Sequence, residues 1–237
     1  MTPFEATRDT TFASPEAAAE RITSFLRSVY AWMCAGLVVT AVTATFVASS
    51  QTMVETIQGN RLVFWAIIIA QFGLVIALSA KVQTLSRSVA SGMFVAYSAL
   101  TGVTLSFVLL VFTGESIATT FLITAGMFGA LALYGTVTSR SLDGWAQFLF
   151  MGLIGVVIAS VVGIFWQSNA LQFVITFAGV IVFTGLTAYD ANRLRSMALV
   201  TPSGQSGAYA IVGALTLYLD FINLFLMLLR IFGDRRR

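Results

Sequence analysis

The chain has 237 residues, 58% hydrophobic and only 10% charged, with a mean hydropathy of +0.90; a soluble domain averages about 25% charged. This excludes a soluble globular fold and predicts an all-α integral membrane protein. The 13 basic and 10 acidic residues leave a net charge of +3. They are too few and too scattered for a nucleic-acid partner, and they sit at segment ends, as topology determinants do.

Residues 1–24 form a polar tail carrying Glu5, Asp9, Glu16 and Glu20. This differs from the basic start and apolar core of a cleavable signal. Ser14-Pro15-Glu16 reads as a helix start, with a capping serine, proline at the first helical position and an acid in the first turn. A short amphipathic helix is expected to lead into the first span.

About 20 apolar residues cross a hydrocarbon core of roughly 30 Å. Seven stretches between residues 25 and 232 meet that length: 28–49, 62–80, 88–112, 116–136, 145–165, 170–191 and 208–231. Their continuous apolar character favours helices over the alternation of a membrane barrel. The connections are short, including QTMVETIQGNR, KVQTLSR and RLRSMALVTPSGQSG. Residues 233–237 form a basic tail. Cys34 is the sole cysteine, so no intramolecular disulfide is possible and a packed core thiol is expected. Histidine is absent, which removes His-ligated zinc and haem and every His-based triad. The sole lysine, Lys81, ends a hydrophobic segment, which excludes a retinal Schiff base inside the bundle.

Orientation follows the Lys and Arg count. The side of the N-terminus carries Arg8, Arg21, Arg27, Lys81, Arg87, Arg140, Arg193 and Arg195; the other carries Arg61, Arg230 and Arg235 to Arg237. The loops therefore favour a cytoplasmic N-terminus. Seven spans put the C-terminus outside, and the terminal arginines argue against that. The small residues of SGMFVAYSALTG and GMFGALALYG let helices approach closely.

Two carboxylates lie inside apolar segments: Asp190 in IVFTGLTAYDANRLR and Asp220 in ALTLYLDFINLFLMLLR. Each costs roughly 2.5–3.5 kcal/mol at bilayer depth, so such residues mark functional sites by default. Their two spans are joined by a short turn and must be antiparallel neighbours. If the sixth helix ends near Val200 and the seventh starts near Gly207, the carboxylates lie about 15 and 20 Å below those ends. The spacing allows a dyad. Two carboxylates in a low-dielectric site cannot both ionise cheaply, so they would titrate as a unit. Deprotonated, they would offer oxygens to a hard cation such as Ca²⁺. Thr216, Asp220 and Asn223 share one helix face, and Thr187 lies one turn before Asp190. The plainer alternative is that each aspartate pairs with an arginine or a backbone group and only locks helices; threonine commonly bonds back to its own helix.

AYDANRLR and LTLYLDFINLFLMLLRIFG resemble the two C-terminal signatures of the Bax inhibitor-1 (TMBIM) family. FLRSVYAWMCAGLVVTA and SGMFVAYSALTGVTLS resemble it too, so the likeness runs from about residue 20 to the end. The resemblance implies a central seventh helix surrounded by the other six. It implies an aspartate dyad, at Asp190 and Asp220, that gates a pH-sensitive Ca²⁺ leak in a bacterial inner membrane. It also implies a basic residue near the third span that latches the dyad. TLSR offers Arg87 and AKV offers Lys81, both equally readable as positive-inside anchors. Arg193 and Arg195 are a third possibility, otherwise interfacial snorkellers.

The leading expectation is thus a channel, not an enzyme. Its partners are the lipid bilayer, Ca²⁺ and H⁺, with no cofactor besides the transported ion. The alternative is a regulatory protein that binds a membrane protease or cell-death partner, with structural aspartates. An intramembrane aspartyl protease also needs two aspartates, typically YD on one helix and GxGD on another. AYDAN matches the first, and LYLDF lacks the glycines of the second.

Overall fold

The computed structural model describes residues 15–138, 140–166, 168–202 and 204–236; Ser14 and the residues before it lie outside these. The described residues form eight helices: α1 (Pro15–Ala48), α2 (Gln51–Gly59), α3 (Arg61–Ala80), α4 (Arg87–Val111), α5 (Gly114–Val137), α6 (Asp143–Phe165), α7 (Asn169–Val200) and α8 (Ser206–Phe232). All but α2 are long and apolar enough to cross a membrane. The protein is an integral membrane protein with seven spans.

Two elements depart from the sequence expectation. The N-terminal helix and the first span are one unbroken helix, α1, because PEAAAERITSFLR holds good helix formers and no breaker after Pro15. The 51–61 connection folds into α2, whose N-cap Ser50 accepts a bond from the Met53 amide at 3.4 Å. The sixth span's helix runs nine residues past the apolar run, through NRLRSMALV to Val200, the end taken in counting the depth of Asp190. α1 and α7 are 34 and 32 residues long, about 50 Å each, so both project past a ~30 Å hydrocarbon core. Their projecting ends meet where Arg21 Nη2 donates to the Thr201 carbonyl at 3.0 Å.

α8 is the central helix. It packs against α1, α3, α4, α5 and α7, with α6 packed on α7. Its most apolar stretch is 72% buried, against 6% for α3 and 17% for α6. Tyr218 is fully buried at the heart of the bundle. Phe94 and Tyr97 of α4 meet its ring edge-on at 5.8 and 5.9 Å, and its hydroxyl lies 2.6 Å from Thr40 Oγ1 of α1. Thr40 in turn reaches the Ser98 carbonyl of α4 at 2.9 Å. A hydroxyl pair therefore joins the three helices.

Two of the small-residue glycines serve close approach. A Cβ on Gly102 would stand 2.6 Å from the Thr40 carbonyl oxygen, and one on Gly135 would run into the Ala188 carbonyl. Gly92, Gly126 and Gly129 face open space. The expected packed thiol is a correction: Cys34 is exposed. Its face of α1 looks out toward α5 rather than into the core.

α8 crosses the whole bundle, and its end is tied down. Gly233 to Arg236 run along the α4–α5 connection, with the Thr113 amide donating to the Asp234 carbonyl at 3.0 Å and the Arg236 amide to the Val111 carbonyl at 2.8 Å.

Candidate functional site

α7 ends ten residues after Asp190 and α8 begins fourteen before Asp220. At 1.5 Å per residue these are depths of about 15 and 21 Å. The helices pack against each other. Both aspartates are buried, at 9% and 5% exposure. Their carboxyl groups face one another within hydrogen-bonding reach. Two ionised carboxylates have no proton to share, and Asp220 Oδ2 has no donor among the described residues. One proton on either acid supplies the missing bond. Without it, the two charges repel at contact.

The pair lines a cleft of about 800 Å³ between α3, α6, α7 and α8. Thr216 and Asn223 line it as well, one turn to either side of Asp220. The Thr216 hydroxyl donates to the Val212 carbonyl at 3.2 Å, which leaves its oxygen free to accept. Thr187 does not reach the cleft. It is fully buried and donates back to the Phe183 carbonyl at 2.7 Å.

The structure does not bring Lys81 or Arg87 to the pair. Lys81 is the exposed C-cap of α3. The Arg87 stem lies across the start of α8, where its Cδ would be 2.7 Å from a Cβ on Gly207. That is thirteen residues from Asp220, about 20 Å along the helix. Arg193 is the cation that shares the cleft, one turn beyond Asp190 on α7, and its charge acts on Asp190. Arg195 is engaged elsewhere. Its Nη1 donates to the Thr138 carbonyl at 2.7 Å, while Asn192 Nδ2 donates to the Gly135 carbonyl at 3.0 Å. These bonds dock α7 on the end of α5.

Sequence reasoning gave no role to Gln147 of α6 or Ser79 of α3, which also line the cleft. The available signal was their polarity inside WAQFLF and ALSA. Among the described residues no three acidic, Cys or His side chains cluster as a metal site. The oxygen-bearing side chains that line the cleft include the two carboxylates, the Asn223 and Gln147 amides and the Thr216, Ser79 and Tyr189 hydroxyls. Ca²⁺ takes six to eight oxygens, so water in the open cleft would complete its shell.

The family described as inhibitor of apoptosis-promoting Bax1 matches residues 22–237. The inner membrane protein YbhL of Escherichia coli K12 is 51% identical over 216 residues, 90% of this chain and 92% of YbhL. An uncharacterized protein of Borreliella burgdorferi is 44% identical over 214 residues, 90% of this chain and 92% of its own length. One of Deinococcus radiodurans is 39% identical over 217 residues, covering 91% and 93%. With seven spans about a central α8 and a match that runs from the first span to the last residue, the chain belongs to the Bax inhibitor-1 family of membrane proteins.

Proposed function

We propose that the protein is a pH-sensitive Ca²⁺ leak of the bacterial inner membrane, gated by the Asp190–Asp220 pair, with its N-terminus cytoplasmic. The apposition of two buried carboxyl groups on neighbouring helices, opening onto a cleft, carries this reading. The membrane assignment draws on the name of YbhL, and the orientation on the distribution of arginines.

At acidic pH one proton bridges the pair and holds α7 against α8. Loss of that proton leaves two adjacent negative charges, which repel and attract a divalent cation at the same time. Opening and cation affinity then rise together, so flux increases from mildly acidic to neutral pH and saturates. The test is dye-reported Ca²⁺ entry into proteoliposomes across pH 5–8. Asp190→Asn and Asp220→Asn are expected to flatten the profile, because an amide keeps the shape but does not titrate in this range. Identical profiles for wild type and both variants would overturn the leak reading and favour a regulatory protein with structural aspartates.

A further inference from the structure

A second feature lies on another side of α8, away from the aspartates. α1 packs on α4, α7 and α8, and α5 packs on α7 and α8. Between α1 and α5 a groove is left, floored by the Phe221–Phe225 edge of α8 and, in its larger cavity, by Leu105, Val108 and Leu109 of α4. Two cavities of about 560 and 410 Å³ follow one another along it and share Leu37, Phe121 and Phe221. Small residues on the facing walls make the room: Cys34, Ala41 and Ala44 on α1, Ala118, Ala125 and Gly129 on α5. A Cβ on Gly129 would meet nothing within 4 Å.

The groove runs from Tyr30 to Thr45 along α1, about 22 Å at 1.5 Å per residue. One leaflet of hydrocarbon is about 15 Å deep, half the core, so a tail from one leaflet fits inside it. The end at Tyr30 lies where α5 stops, at Val137. Arg27 stands there on α1, three residues before Tyr30 and seven before Cys34, hence on the same face. It is exposed. Two other arginines of this end, Arg21 and Arg195, are bonded to the carbonyls of Thr201 and Thr138. A guanidinium one turn outside an apolar groove, at the level where the bilayer meets water, matches a phosphate above an acyl chain.

We propose that the groove between α1 and α5 holds one acyl tail of an anionic phospholipid, with Arg27 on its phosphate. The tail would be enclosed by α1, α5 and α8, and by α4 along part of its length, unlike a boundary lipid that touches one face. The inference stands apart from the ion-leak reading, since neither aspartate lines this groove.

The test is native mass spectrometry of the full chain released from vesicles of equimolar phosphatidylglycerol and phosphatidylcholine. One retained phospholipid is expected, with phosphatidylglycerol favoured about fivefold, the effect of one arginine at an anionic surface. Ala41→Trp combined with Gly129→Trp fills the groove and is expected to abolish retention. Arg27→Gln is expected to keep the lipid and bring the preference to about one. Equal retention by wild type and the filled variant would mean boundary lipid only and overturn the site. A preference that is absent in wild type, or survives Arg27→Gln, overturns the phosphate contact. Arg27 is exposed, so this arm decides even where the filled variant does not fold.

Discussion

At the scale of single residues, the cleft turns on which charges face Asp190 and Asp220. Arg193 is the one basic side chain among the described residues that lines it. A nearby positive charge favours an ionised carboxylate. Removing it in Arg193→Gln is therefore expected to move the pH of half-maximal Ca²⁺ flux upward. The move should fall short of the roughly one to three units of a buried pair, because Arg193 is exposed and salt screens it. Arg87→Ala and Lys81→Ala are expected to leave that pH unchanged, since both residues sit at the bundle's end. The pH profile of each variant in proteoliposomes is the measurement; a shift with Arg87→Ala and none with Arg193→Gln would reverse the assignment. The aspartates were legible in the sequence because a carboxylate inside an apolar run is costly wherever it points. The cation was not. Arg193 and Arg195 are two residues apart, and only the docking of Arg195 on Thr138 separates their roles.

At the scale of elements, helix contacts depend on atoms as small as one methyl. Gly135→Ala places a Cβ against the backbone of Ala188, so α5 must move off α7. Overpacking of this kind costs about 1–3 kcal/mol. Gly129→Ala, six residues earlier on the same helix, is expected to be neutral. Thermal unfolding of the two variants in detergent makes the comparison, and equal midpoints would show that α5 relaxes freely. Tyr218→Phe removes the hydroxyl that joins α8 to Thr40. Interhelical hydrogen bonds in membranes average about 0.6 kcal/mol, at most about 1.7, so a small loss is expected by the same measurement. The spans themselves were legible from apolar run length. The unbroken length of α1 was not, because its polar first turns are stabilised by contact with the end of α7, including Arg21 on Thr201.

At the scale of the molecule, seven complete spans place the two ends on opposite faces. α2 and the tail beyond α8 share one face; the α3–α4 and α5–α6 connections share the other. With Cys34→Ala as background, single cysteines at Gln83 and Arg140 are expected to react with an impermeant maleimide only after the membrane is opened. Cysteines at Glu55 and Asp234 are expected to react in intact cells. The reverse pattern would invert the orientation. The terminal arginines do not stop α8 from crossing. The residues that follow it, Asp234 and Arg236, are held by backbone bonds to Thr113 and Val111. Truncation after Gly233 removes those bonds, and faster amide exchange in the last turn of α8 is the expected readout.

The sequence by itself determined that the chain lives in a bilayer, that it crosses seven times and that two acids lie at depth. These are local properties, fixed by the length of apolar runs and the cost of a charge within them. Which helix is central was implied by the family resemblance, not by hydropathy, and the tertiary structure decided it. By hydropathy α3 and α6, at 2.4 and 2.7, exceed α8 at 2.0, yet both lie outside and α8 lies within. Lipid tails are as apolar as a packed side chain, so hydropathy does not tell a lipid-facing helix from a buried one. The facing of Asp190 and Asp220 was likewise decided by packing. Depth along a helix can be counted from sequence, but the rotation of α7 against α8 is set by every neighbour they share.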